Sequence, residues 1–127
     1  MSIQRFGSGA EGAGGQKLPF AKAVQAGGFL FVSGQVAMND NGEIISGGII
    51  TQTRKTMEHI KNILAECGYG LQDVVKVNVW LDDTRDFWSF NKVYAEYFGD
   101  NPPARSTVQS SLMVDAKIEV DVVAYKA

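Results

Sequence analysis

Lys117-Ile118-Glu119-Val120-Asp121-Val122-Val123-Ala124-Tyr125 decides the fold. The stretch has the period of two of a β-strand, which puts Ile118, Val120, Val122 and Ala124 on one face and Glu119, Asp121, Val123 and Tyr125 on the other. The first face is purely apolar and belongs against a core. The second carries two carboxylates, which are costly to bury without partners. A strand of this kind belongs to a sheet with helices on one side. Working outward, Arg105 to Gln109 reads as a further strand, and Val75, Val77, Val79 and Leu81 alternate with Lys76, Asn78 and Trp80 in another. Thr53, Met57, Ile60, Leu64 and Cys67 recur at steps of four and three, the stripe of an amphipathic helix beginning near Ile49 and closed by Gly68. Phe87, Phe90, Tyr94 and Tyr97, with Phe98 adding width, mark a second helix closed by Gly99.

Three strands are expected ahead of the first helix. Ile3 to Phe6 is followed by a glycine-rich stretch, Gly7 to Gly15. Ala21 to Ala26 and Phe29 to Ser33 flank Gly27-Gly28, a pair suited to the positive φ angles of a hairpin turn. Asn39-Asp40-Asn41-Gly42 is a further turn leading into Glu43 to Ile45. The order β-β-β-α-β-α-β-β predicts one α+β domain over residues 1–127, a mixed sheet with both helices on one face. Its second face would hold Val24, Val123 and Tyr125 beside Glu119 and Asp121, a mixture that calls for another subunit.

The chain is 45% hydrophobic and 20% charged, enough for one sizeable core, and its net charge of -2 argues against a nucleic-acid surface. No segment approaches the ~20 apolar residues of a membrane span. With one histidine and one cysteine, zinc sites built on those ligands and a serine-histidine triad lack support. Gly7 to Gly12 matches GxGxxG but lacks the strand and helix that a dinucleotide site needs. Cys67 has no internal disulfide partner, and Met1 to Phe6 holds no apolar run resembling a signal peptide; the expectation is a cytoplasmic protein. Trp80, Trp88 and the phenylalanines sit at strand or helix spacing, which suits packing better than base stacking.

Pro102-Pro103-Ala104-Arg105-Ser106-Thr107-Val108 holds the leading functional candidate. Two prolines fix φ and present Arg105 in a defined direction, which suits a guanidinium that meets a carboxylate as a planar fork. Arg105 and Glu119 are expected to be neighbours in an intersubunit cleft.

Pro19-Phe20-Ala21-Lys22-Ala23-Val24, Ser33-Gly34-Gln35, Gln52-Thr53, Asp73-Val74-Val75-Lys76, Asp86-Phe87, Asn91-x-x-Tyr94, Pro103-Ala104-Arg105-Ser106 and Ile118-Glu119-Val120 occur in the order found in the Rid (YjgF-type) family of enamine/imine deaminases, which the whole chain resembles. The resemblance implies a chorismate-mutase-like homotrimer with three intersubunit clefts. It implies hydrolysis of reactive 2-imino or 2-enamino acids, such as 2-iminopropanoate formed from 2-aminoacrylate, to 2-keto acids and ammonia without a cofactor or metal. Arg105 would hold the substrate carboxylate and Glu119 the attacking water, with Phe20, Ser33, Gly34, Asn91 and the backbone of Thr107 lining the cleft. Phe20 replaces the family's usual tyrosine, Thr107 the cysteine of many relatives, and His59 a familiar asparagine, for which a structural role is expected. The rival readings are a non-catalytic binder of small keto or imino acids and, less favoured by the acidic balance, an RNA-acting translation inhibitor.

Overall fold

The computed structural model describes residues 2–7 and 17–127; the glycine-rich stretch and the GxGxxG pattern lie, apart from Gly7, outside the described residues. Among the described residues, six strands and two α-helices follow one another as β1 (Ile3–Phe6), β2 (Ala23–Ala26), β3 (Phe29–Gln35), α1 (Ile49–Glu66), β4 (Val74–Leu81), α2 (Phe87–Phe98), β5 (Ala104–Gln109) and β6 (Ile118–Tyr125). The strands form one sheet in the order β1-β2-β3-β6-β4-β5. β4 and β5 are parallel, and every other neighbouring pair is antiparallel.

This topology dictates where the helices go. β3 and β4 each run antiparallel to β6, so they are parallel to one another. The segments β3-α1-β4 and β4-α2-β5 are therefore two crossovers stepping the same way along the sheet. Such crossovers are almost always right-handed, and two of one hand stepping in one direction leave both helices on the same side. Met57, Ile60 and Leu64 of α1 and Phe90, Tyr94 and Phe98 of α2 accordingly share one core with Leu30, Val32, Val77, Val79, Ile118, Val120, Val122 and Ala124. The helices are tied outside that core by Arg54, which donates from both terminal nitrogens to Glu96. Gln52, buried in α1, links three segments: its amide nitrogen donates to the carbonyls of Ile45 and Gly47, and its oxygen accepts from the Lys117 N–H.

Among the described residues the far side of the sheet has no helix. Ile3, Phe29, Phe31, Val108 and Tyr125 are exposed there, each by more than 40%. Val24 and Val123, opposite Phe31 on either side, complete the apolar part of the face.

Two local expectations are corrected. Val75 does not join the apolar face of β4: Val74 pairs with Ala124 and Lys76 with Val123, so Val75 is the extra residue of a β-bulge and is exposed while Val74 is buried. In the hairpin turn only Gly27 has positive φ, at 60°. Gly28 is there for room instead, since a Cβ would strike the Lys126 carbonyl oxygen and come within 2.9 Å of the Tyr125 ring. Glu43 to Ile45, after the Asn39–Gly42 turn, contributes a single bridge, Met38 to Ile44.

Candidate functional site

The candidate residues on β5 and β6 can be assigned to a sheet face from strand register, because residues paired across neighbouring strands point the same way. Arg105 pairs with Val77, Thr107 with Val79, and both valines are buried beneath the helices. Arg105 and Thr107 therefore face the helix side. Glu119 pairs with Trp80 and Asp121 with Asn78, positions that alternate with those valines, so both carboxylates face the uncovered side. The expected neighbours Arg105 and Glu119 thus lie on opposite faces of the sheet in one chain. Strand alternation decides this, and it could have been read from Val77 and Val79 had the β4–β5 pairing been known.

On the helix side, Pro102 and Pro103 lead into β5, an edge strand, and Arg105 is its second residue. Its guanidinium carbon lies 4.8 Å from the ring centroid of Tyr94, 5.2 Å from Phe90 and 5.8 Å from Phe87, all on α2. Among the described residues Arg105 has no carboxylate within salt-bridge distance. Asn91 is half-buried four residues after Phe87 and three before Tyr94, the spacing of one helix side. The Tyr94 hydroxyl and the Thr107 Oγ1 are buried without hydrogen-bond partners among the described residues. Burial pushes the Tyr94 phenol up to about 12, against the opposing influence of the Arg105 charge, so it remains a neutral donor.

On the uncovered side the Glu119 carboxylate lies across β3 where Gly34 leaves space. A Cβ on Gly34 would overlap the Glu119 Oε2 and stand 3.0 Å from its Cδ. Gly34 does not have positive φ, so the glycine answers to room and not to backbone conformation. Burial, and secondarily the Asp121 charge, raise the Glu119 carboxyl above its ordinary value. Asp121 accepts a hydrogen bond from Asn78 Nδ2 at 3.0 Å, which gives it a structural tie within the chain. Ser33 donates through Oγ to the Ala21 carbonyl at 2.6 Å, and its N–H donates to the Lys22 carbonyl. That pair of bonds fixes the segment beside Phe20, whose side chain is 53% exposed. His59 Nε2 donates to the Met38 carbonyl at 2.7 Å, holding the loop after β3 against α1.

The structure therefore sets Arg105 and Thr107 on one face, with Asn91 on the helix whose rings meet Arg105, and Glu119 against Gly34 on the other, with Ser33 tied to the loop that carries Phe20. The aromatic seat beneath Arg105 escaped the sequence reading, which took Phe87, Phe90 and Tyr94 for core stripe alone. The signal was an arginine near the start of a strand that follows directly on a helix with an aromatic side. Among the described residues no three histidine, cysteine, aspartate or glutamate side chains converge as a metal site would require.

Residues 15–126 match the family model described as Endoribonuclease L-PSP, the family also called YjgF or Rid. The chain belongs to the Rid family. A RutC family protein of Pyrococcus horikoshii is 49% identical over 110 residues, covering 85% of this chain and 87% of its own. The mitochondrial protein MMF1 of Saccharomyces cerevisiae is 38% identical over 106 residues, covering 83% of this chain and 73% of its own. The solved structure of yeast Mmf1 superposes with a TM-score of 0.88 at 33% identity, covering 99% of this chain and all of that one. A Rid family protein of Yersinia pestis superposes at 0.87 with 27% identity, over 98% of this chain and all of the other. The two helices on a mixed six-stranded sheet are thus the Rid fold.

A raised Glu119 carboxyl in the folded chain means that stability contributed by the neutral acid is present below the ordinary value of 4.5 and is lost as pH rises through the folded value. Glu119→Gln should therefore gain stability over the parent at neutral pH, with the difference shrinking below pH 4.5, in urea titrations at several pH values. Gly34→Ala should remain folded while displacing the carboxylate toward solvent, and the Glu119 side-chain ¹³C titration should drop toward the ordinary value. An unmoved titration in Gly34→Ala would contradict the packing described.

Proposed function

We propose that this Rid-family chain hydrolyses 2-imino acids to 2-keto acids and ammonia at sites formed between copies of the chain in a homotrimer. The observation that carries the reading is the Arg105 guanidinium, seated on aromatic rings with no anionic partner among the described residues. A charge held in this way is poised for a ligand carboxylate, which a planar fork meets through two parallel hydrogen bonds. Glu119 supplies a base whose raised carboxyl value brings it nearer the working pH, as effective general bases require.

The two residues reach one substrate when Arg105 of one copy meets Glu119 of another. The uncovered apolar face supports such an assembly, since Phe29, Phe31 and Tyr125 would be covered by a neighbour. Phe20, Ser33 and Gly34 would join the Glu119 side of the cleft, with Asn91 and Thr107 on the Arg105 side.

In the reaction, an enamine such as 2-aminoacrylate first tautomerises to its imine, whose protonated C=N carbon is electrophilic. Glu119 takes a proton from water as the oxygen bonds to that carbon, giving a carbinolamine. The protonated Glu119 returns the proton to nitrogen, the C–N bond breaks, and ammonia leaves as the hydroxyl loses its proton to form the ketone. No electrons change hands, so no redox cofactor is invoked. Positioning by Arg105 converts a bimolecular encounter with water into a step within one complex. Phe20, with no phenolic hydroxyl, would favour an apolar substrate side chain. The cytoplasm is the proposed location, supported by the lone cysteine.

Cleavage of RNA is the second reading, and it rests on the endoribonuclease description of the family model. The net charge of -2 weighs against it. In an assay coupling an amino-acid oxidase to imine loss, the parent chain should accelerate keto-acid release. Arg105→Ala should stay folded and lose about 2 to 5 kcal/mol of transition-state binding. Glu119→Gln should slow turnover by roughly two orders of magnitude or more while retaining keto-acid binding. Normal imine turnover by Glu119→Gln, or keto-acid binding by the parent without any acceleration, would replace the enzyme with a metabolite-binding regulator. Cutting of single-stranded RNA with no imine hydrolysis would favour the second reading.

A further inference from the structure

The guanidinium of Arg105 rests against three aromatic rings of one helix, and no carboxylate approaches it among the described residues. We propose that Tyr94 is a positioning residue for the anion site: its ring, backed by Phe90 and Phe87, seats Arg105 while leaving the charge and the N–H edge of the guanidinium free for a ligand carboxylate. The inference rests on the reading of Arg105 as the carboxylate holder and adds what keeps it ready.

The physical basis lies in the two different aspects of a guanidinium. Its hydrogen-bond donors lie in the plane of the group, whereas attraction to an aromatic ring acts on a cation above the ring face. An acidic partner would fix the side chain as well, but it would occupy the fork and cancel the charge that the substrate must meet. Aromatic rings hold the group without competing for its hydrogen bonds. Of the three, Tyr94 is nearest at 4.8 Å and is buried. It also forms part of an aromatic run, with ring centroids 5.4 Å from Phe90 and 4.9 Å from Phe98, which restrains the ring itself.

The hydroxyl is separable from this role. Tyr94 Oη has no partner among the described residues, so its removal leaves no hydrogen bond broken and relieves a buried unsatisfied group. Tyr94→Phe should keep the seat, whereas Tyr94→Leu fills part of the volume without a π face. A simple packing role would not distinguish the effects of these two variants on the guanidinium.

The test combines NMR of the Arg105 side chain with calorimetric binding of pyruvate, the keto-acid product from 2-iminopropanoate. Ring currents should shift the Arg105 guanidinium protons upfield in the parent and in Tyr94→Phe, and much less in Tyr94→Leu. Pyruvate affinity should fall by roughly ten-fold or more in Tyr94→Leu and stay within about three-fold in Tyr94→Phe. A folded Tyr94→Leu with parental pyruvate affinity would overturn the proposal, as would unshifted Arg105 protons in the parent. If Tyr94→Leu does not fold, Phe87→Leu at the half-buried rim supplies the same comparison, and parental values of both readouts there would count against the seat. A parent that binds no pyruvate yet shows the upfield shift would sink the carboxylate reading of Arg105 and, with it, the anion-positioning role.

Discussion

Alternation along β-strands, combined with a helix layer on one side, is the constraint from which the rest of this structure follows. Two crossovers stepping in one direction place α1 and α2 together and, among the described residues, leave the opposite sheet face without a helix. Alternation then assigns every strand residue to one of two unlike environments. Arg105 and Thr107 go beneath the helices, and Glu119 and Asp121 go to the uncovered side. No side-chain rotation moves a residue through a sheet. In the proposed mechanism the catalytic pair must therefore be shared between chains, and association becomes a condition of the chemistry.

The surroundings of Arg105 and Glu119 also handle charge differently. Arg105 stands at the edge strand against π faces, which attract a cation without supplying an opposing formal charge. Glu119 lies on a central strand, partly desolvated and near Asp121, which discourages its ionised form. Each arrangement leaves a group short of what it would gain from a partner. In the proposed mechanism a carboxylate ligand would answer the first, and a water whose proton can be taken would answer the second. Gly34 makes the second possible by giving the glutamate room, while Asn78 ties Asp121 in place.

Much of the fold was legible because its elements obey local periods. The four buried residues of β6, Ile118, Val120, Val122 and Ala124, are those its alternation names, and α1 starts at Ile49 as its stripe indicates. Val75 misled because a bulge breaks the period, and a bulge depends on the partner strand, which no local pattern reveals. Gly28 misled because its reason is the approach of Lys126 and Tyr125, distant in sequence. For the candidate site, motif order singled out Arg105 and Glu119, but which face each occupies depends on pairing with β4. The seat beneath Arg105 was hidden for another reason: Phe90 and Tyr94 are core residues and ring partners of the arginine at once, so their helical spacing discloses only the first role.

Mixing two inactive variants tests the shared site most directly. Arg105→Ala and Glu119→Gln subunits would be combined in equal amounts, dissociated, reassembled and assayed for imine hydrolysis. In a cyclic assembly whose sites draw Arg105 from one copy and Glu119 from the next, random mixing should restore activity to about a quarter of the parental sites. Activity that remains at the level of the separate variants, in assemblies shown to have exchanged subunits, would contradict the account.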